Sequence, residues 1–441
     1  MICISRVLRK LLQHKGCQSK THVCSLSMES RWQTVVWHRK MDSIDPLEYV
    51  YAVNPDLSHN IVIVPAIWAH TFSEEELILH KHRKRINEYE RTTGTSEWEY
   101  YKKIVNPYEL IYTQKKYSNF PDSVCILHPL SRSYFKMTEM LGISDFFEGL
   151  KPCQKVRSAH VCEGPGGFIE GFLEQVDRHK VQCQVATAIT LKPKQPNVPG
   201  WKRASSFLQK HRNIRITYGS DGTGDLLQYE NQNEFITTSG KVHLFTGDGG
   251  FDFSMNYDAQ EQTIFPLLIA SVRVGFEVLQ GGGMMILKFF DTYYDGTKDL
   301  IYFLAQHFGK WTCYKPATSR PCNPEFYFIG QIFRPPSVPI LQILRGWSRA
   351  ACFQDAPVRL FKSALPELPL PNLIQSQITY LEKVFELMDS TDKETKIKQM
   401  LQIHEVISYA WCMRFGVLTY ASRAHSIVAL RTYLLSVGLL K

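Results

Sequence analysis

The sequence predicts an α/β fold: a parallel sheet with helices on both faces, an N-terminal extension before it and a helical extension after it. Two observations carry this. From about residue 131 to 335, short apolar runs alternate with helical patterns, as in strands joined by crossover helices. After RPPSVP, residues 334–339, the chain turns to i, i+3, i+4 apolar spacing, as in LIQSQITYLEKVFELMD and IHEVISYAWCMRF. The expected division is 1–40 as a basic leader or flexible arm, 41–130 as an N-terminal extension and candidate RNA-binding region, 131–335 as the central domain and 336–441 as the helical extension.

Composition sets the outer limits. With 441 residues, 44% of them hydrophobic, the chain can bury a sizeable core and exceeds one domain of usual size. Apolar runs such as NIVIVPAIWA are broken within about 10 positions, too short to cross a bilayer, so no membrane partner is expected. The formal net charge of +9 suits a polyanionic partner, with nucleic acid the leading candidate. Eleven cysteines form no C-x-x-C pair and no zinc-spaced cluster, so neither a disulfide framework nor a metal site is expected.

Residues 1–28 carry Arg6, Arg9, Lys10, Lys15 and Lys20 with no acidic residue, and Ile2, Ile4, Val7, Leu8, Leu11 and Leu12 could share one apolar face, as in mitochondrial presequences. A disordered basic arm and a leader ahead of a start at Met28 are the alternatives. A cytoplasmic or nuclear location is expected, with a mitochondrial one resting on that basic segment alone.

The elements follow in order. A helix opens at Ser73, where SEEE has the S-x-x-E form of a capping box, and is expected to end in HKHRKR. YYKKIVNPYELIYTQKKY interleaves Lys102, Lys103, Lys115 and Lys116 with Tyr108 and Tyr112, a mixture that suits phosphates and stacked bases and equally suits a half-buried helical face. SRSYFKMTEML, with Lys136, is an amphipathic helix. RSAHVC is a buried strand, EGPGG a turn and FIEGFLEQV a helix. Further strands are expected in VQCQVATAITL, IRITYGSDGTGDL, KVHLFTGDGGFD, GGGMMILKFF and EFYFIGQIF, several of which end in a polar or charged residue.

The glycine-rich turn lies at a strand's carboxyl end, where open α/β sheets bind ligands, and glycine lets backbone come close to a ligand. The dinucleotide pattern fails, because Ile169 stands where a third glycine belongs and no acidic residue follows at ribose-binding distance. A phosphate-binding loop fails for want of a G-K-[ST] ending. A nucleoside cofactor without a pyrophosphate remains, and S-adenosylmethionine is the common one. Glu163, Gly164, Pro165, Gly166, Gly167 and Phe168 are the candidate cofactor turn, with Glu163 accepting from the ligand's amino group. Thr190, just after the strand expected in VQCQVATAITL, is a further candidate contact. Asp221 is read either as an adenine contact or as an Asx turn.

The order Lys136, Asp248, Lys288, Glu325, with EGPGGF between the first two, resembles the K-D-K-E tetrad of FtsJ-like RNA ribose 2′-O-methyltransferases. SRSYFK is similar to that family's S-R-x-x-x-K opening, GDGGFD to its fourth motif, LKFFD to its lysine strand and SRPCNPEFY to its S-R-x-x-x-x-E-x-Y ending. The resemblance covers residues 131 to 335 and implies a Rossmann-like methyltransferase sheet, S-adenosylmethionine as cofactor, and RNA as partner. TLK at 190–192 and DGG at 248–250 look closer to cap-specific messenger RNA enzymes, including those of large DNA viruses, than to ribosomal ones. That implies capped mRNA as substrate and methylation of the first transcribed nucleotide. A ribosomal or mitochondrial RNA enzyme, and an inactive cofactor- or RNA-binding module, are the alternatives. In the implied chemistry Lys288 deprotonates or orients the 2′-hydroxyl. Desolvation and the Lys136 charge lower the Lys288 pKa, while Asp248, which also borders the cofactor, and Glu325 oppose that fall.

Overall fold

The computed structural model describes residues 61–65, 70–93, 95–113, 120–193, 200–250, 260–351, 358–361, 368 and 372–420. The expected basic leader and Lys115 and Lys116 lie outside the described residues.

Seven strands form one sheet. They are β2 (Lys155–Val161), β3 (Gln182–Ile189), β4 (Ile214–Thr217), β5 (Val242–Gly247), β6 (Leu279–Phe289), β7 (Phe308–Tyr314) and β8 (Phe326–Phe333), in the spatial order β4-β3-β2-β5-β6-β8-β7. The first five in space are parallel, and β8 runs antiparallel between β6 and β7. The purely parallel expectation is thus corrected to a mixed sheet. β7 is an addition to the strands read from sequence: FGKWTCY has neither clean alternation nor a continuous apolar run. The strand order reverses at β2 and β5, so a crevice opens outside their carboxyl ends.

Helices cover both faces, as expected. On one face α3 (Ser133–Ile143) and α4 (Gly167–Arg178) pack with Leu244, Met284, Ile286, Tyr327 and Ile329 of the strands. On the other, α7 (Gln260–Val278), α8 (Asp295–Gln306) and α9 (Val338–Ala351) share a core with Phe245, Met285, Leu287, Phe289 and Phe328. The alternation along β6 decides which way its functional residue points. Lys288 has the parity of Met284 and Ile286, so it faces α3 and α4. The remaining helices of the sheet region are α5 (Ser205–Lys210) and α6 (Tyr229–Ser239).

The two extensions meet each other. β1 (Ile61–Pro65) pairs antiparallel with β9 (Val358–Phe361). α1 (Glu74–Thr93) and α2 (Thr95–Val105) share a third core with α10 (Leu373–Met388), built from Leu79, Trp98, Ile104, Leu381, Val384 and Phe385. α11 (Lys393–Arg414) completes the C-terminal pair. The capping box at α1 forms as expected: Ser73 N donates to Glu76 Oε2 at 2.6 Å and Glu76 N donates to Ser73 Oγ at 3.3 Å. Its end is corrected, for HKHRKR lies mid-helix. Its arginines dock the helix. Arg83 Nη2 reaches Asp291 at 3.2 Å and Gln377 Oε1 at 2.9 Å, and Arg85 lies 4.3 Å over the Phe385 ring. Among the described residues no helix is long and apolar enough to cross a membrane.

Candidate active site

The site stands along one row of the sheet. Val161 of β2 is in register with Ile189 of β3 and Gly247 of β5, and Gly247 with Leu287 of β6. The next residues, Thr190, Cys162, Asp248 and Lys288, therefore lie side by side at the carboxyl edge. Lys288 is in register with Tyr327. Because β8 is antiparallel, its start sits at the edge where the parallel strands end. That direction is what brings Glu325 and Tyr327 to the crevice.

Lys136 arrives from α3 rather than from a strand. Close approach of α3 to α4 makes this possible. A Cβ on Gly167 would stand 2.2 Å from both Ser131 Oγ and Ser133 Oγ, and one on Gly171 2.9 Å from Tyr134 O. Gly166 has φ +110°, and a Cβ there would meet Leu130 and Trp201 at 3.3 Å. So these glycines serve the packing of the chain on itself.

The four charged residues form two ion pairs that a fifth group joins into one chain. Lys136 Nζ is 2.7 Å from Glu325 Oε1 and donates to the Tyr327 hydroxyl at 3.2 Å. That hydroxyl donates to Asp248 Oδ1 at 2.8 Å. Lys288 Nζ lies 3.1 Å from the same oxygen and donates to the Asp248 carbonyl at 2.8 Å. All four charged side chains are mostly buried, so their interactions are weakly screened. Tyr327 was missing from the sequence candidates, although the E-x-Y ending contains it.

The electrostatics differ from expectation at Lys288. Burial pulls its pKa down, but the Asp248 and Glu325 carboxylates more than reverse this and leave it above its ordinary value. The expected fall is corrected to a rise. Glu325, despite its burial, is held far below the usual carboxyl range by Lys136, Lys288 and Lys315. Burial, Asp248 and Glu325 push the Tyr327 phenol well up, so it stays a proton donor.

Two further buried charges, Lys315 and Glu139, brace the segments that carry Glu325 and Lys136. Lys315 Nζ donates to Ser319 Oγ, to Asn323 O and to Glu325 O at 2.6–2.7 Å, closing the loop before β8. Burial takes its pKa down to about 8. Glu139, one turn after Lys136, accepts from the Tyr314 hydroxyl at 2.6 Å, from Ala317 N at 2.7 Å and from Trp411 Nε1 at 3.1 Å. Through Trp411 the C-terminal helix α11 bears on the helix that carries Lys136.

On the cofactor side, Glu163 Oε1 accepts from Phe168 N at 2.6 Å and Ile169 N at 3.3 Å, at the start of α4. Its Oε2 is buried without a hydrogen-bond partner. Burial and the Asp248 charge raise its carboxyl well above the ordinary value. Such a group has room for one polar partner, and a cation there would return it to the ionised form. Thr190 Oγ1 accepts from Gly164 N at 3.2 Å, tying the turn, with Pro165 half-buried in it, to the end of β3. Phe168 is fully buried with its ring 5.9 Å from that of Tyr327, so it supports the site from below rather than lining it.

Residues 129–333 match the FtsJ-like methyltransferase family. That stretch is 205 of the 441 residues, and over it the chain is similar to the FtsJ-like methyltransferases. Curated relatives similar to it include cap-specific mRNA (nucleoside-2′-O-)-methyltransferase 1 of Dictyostelium discoideum, 29% identical over 241 residues, which are 50% of this chain and 32% of that protein. The enzyme of the same name in Trypanosoma cruzi is 30% identical over 45% of this chain and 55% of its own. That of Xenopus laevis is 33% identical over 39% of this chain and 20% of its own. The chain thus spans less than two thirds of each of these relatives.

Five further sequence candidates lie in loops and helices rather than on the strands of the sheet. Asp221 is an Asx turn: its Oδ1 accepts from Thr223 N at 2.8 Å, Thr223 Oγ1 at 2.7 Å and Asn231 Nδ2 at 2.9 Å. Those bonds, Thr223 first, lower its pKa. Tyr108 is 2% exposed and belongs to the core, so its reading as an RNA contact is corrected. Lys102 is half-buried and paired with Glu99, Lys103 is half-buried, and the Tyr112 ring packs 5.5 Å from Phe135. None of these four stands on the rim as an open basic–aromatic strip.

Proposed function

We propose that this FtsJ-like domain transfers a methyl group from S-adenosylmethionine to a ribose 2′-hydroxyl of RNA, and that the acceptor is the first transcribed nucleotide of a capped messenger. One observation supports the reaction above the others: two ammonium groups and two carboxylates, from four separate segments, are linked through Tyr327 into one hydrogen-bonded chain at the switch-point crevice. The cap-specific mRNA methyltransferases among the relatives support the capped substrate. A capped-messenger substrate goes with work in the nucleus or cytoplasm rather than in a mitochondrion.

S-adenosylmethionine supplies an electrophilic methyl group on a positively charged sulfur. The residues fit a cationic, amine-bearing ligand, since the unpartnered Glu163 Oε2 is the acceptor that an ammonium needs. Lys288 fixes the hydroxyl oxygen by hydrogen bonding. It is protonated at rest, so proton removal requires its pKa to fall, and a like charge brought into the site acts in that direction. Lys136 and Glu325 form the other ion pair of the chain, and Tyr327 keeps Asp248 aimed at Lys288. Most of the acceleration then comes from alignment of hydroxyl and methyl, which suits a site built of rigid ion pairs.

The reading is tested with two capped RNAs that differ at one atom. The RNA with an ordinary first nucleotide should accept methyl from the purified protein. The same RNA with a 2′-deoxy first nucleotide should accept none, and equal incorporation into both would remove the assignment.

A further inference from the structure

Glu109 lies outside residues 129–333, yet it touches both segments that deliver the Lys136–Glu325 pair. Its Oε1 is 3.1 Å from Arg132 Nη1 and 2.9 Å from Arg320 Nη2, and its Oε2 accepts from Arg320 Nε at 3.1 Å and Asn106 Nδ2 at 2.8 Å. Arg132 precedes Lys136 by one helical turn, and Arg320 precedes Glu325 by five residues. Arg132 also donates to the Tyr112 carbonyl at 3.0 Å and to the Thr318 carbonyl at 3.4 Å. The two arginines of the two S-R motifs therefore converge on one carboxylate that neither motif contains.

The two ion pairs have different supports. Asp248 and Lys288 follow or end neighbouring strands, and the β5–β6 ladder fixes their spacing. Lys136 is on a helix and Glu325 ends a loop, with no ladder between them. Their spacing must be set by side chains. A guanidinium binding a carboxylate through two nitrogens fixes orientation as well as distance, which a single ammonium does not. Glu109 is itself anchored, since Ser408 Oγ of α11 donates to Pro107 O at 3.2 Å and the Tyr380 hydroxyl donates to Lys102 O. Its exposure of 3% leaves little room for the carboxylate to move.

We propose that Glu109 is a positioning residue for the reaction: it clamps the segments 131–136 and 319–325 at a fixed separation and so sets the Lys136–Glu325 pair. Its kinetic consequence rests on the methyl-transfer reading above; its structural consequence does not.

In Glu109→Gln, kcat for RNA methylation should fall about tenfold to a hundredfold, the scale of a small misplacement at a reacting centre. The Kd for S-adenosylmethionine and the KM for RNA should stay near those of the parent. Glu109→Asp, which keeps the charge, should recover much of kcat. Hydrogen–deuterium exchange supplies the readout independent of activity. Exchange should rise in peptides covering 131–143 and 315–327 and stay at the parent level across 163–178. Should Glu109→Gln fail to fold because two guanidinium groups lose their partner, Glu109→Gln combined with Arg320→Gln keeps the charge balance of the cluster, and the same readouts apply to it. Parent-like exchange in both segments overturns the proposal, as does a loss of kcat matched by an equal loss of cofactor affinity. If the parent transfers no methyl group to RNA, that failure belongs to the functional reading, and the exchange pattern alone decides the clamp.

Discussion

The Tyr327 hydroxyl donates to Asp248 Oδ1 at 2.8 Å, and this bond joins the Lys136–Glu325 pair to the Asp248–Lys288 pair. Tyr327→Phe keeps the ring and deletes the link. It leaves Asp248 short of a donor and Lys136 short of an acceptor, a loss of about 1–3 kcal/mol for each buried group left unsatisfied. The unfolding midpoint should fall measurably, and kcat should drop while S-adenosylmethionine binds as before. Parent-like values for both would show that the bond carries no weight.

The division of labour across the crevice gives a second prediction. Lys288→Ala should abolish nearly all methyl transfer and leave cofactor affinity almost unchanged, because Lys288 faces the acceptor side. Glu163→Gln should do the reverse and lose affinity first. Gly166→Val cannot serve as the cofactor-side control. At φ +110°, against Leu130 and Trp201, it would strain the chain before it met any ligand. Isothermal calorimetry on the two useful variants separates the roles, and equal losses of affinity would contradict them.

The pH dependence of the rate follows from Lys288. Burial lowers its pKa, but Asp248 and then Glu325 raise it further than burial lowers it. If the neutral amine is the reactive form, kcat rises with pH and levels off above that pKa. Glu325→Gln removes one of the raising charges and leaves Lys136 as an uncompensated neighbouring cation. Both changes lower the Lys288 pKa, so the plateau should be reached at lower pH than in the parent. A plateau that stays put, or moves to higher pH, would mean that Lys288 works in its charged form.

Much of this site was legible in the amino-acid order, for local reasons. Lys136, Asp248, Lys288 and Glu325 stand in motifs whose neighbours are strand or helix formers, and apolar runs marked six of the seven sheet strands. Three things were not local. The direction of β8 depends on which strands it joins, and that direction is what brings Tyr327 beside Asp248. The sign of the Lys288 shift is the sum of opposing effects set by distances across four segments. Tyr108 and Glu109 sit in a stretch that reads as a basic, aromatic surface. The packing of α2 against α10 and α11 instead turns it inward, and Glu109 becomes a buried partner for two arginines.

The acceptor atom is the most direct test of the whole account. Purified protein, labelled S-adenosylmethionine and RNA with a methylated guanosine cap should yield, after nuclease digestion, a cap fragment heavier by one methyl on the first transcribed ribose. Uncapped RNA should be a poorer acceptor, and DNA of the same sequence should accept none, because it lacks the 2′-hydroxyl. Label on internal riboses, or equal label on capped and uncapped RNA, would contradict the capped-messenger reading; label on a base or on protein would contradict the ribose mechanism itself.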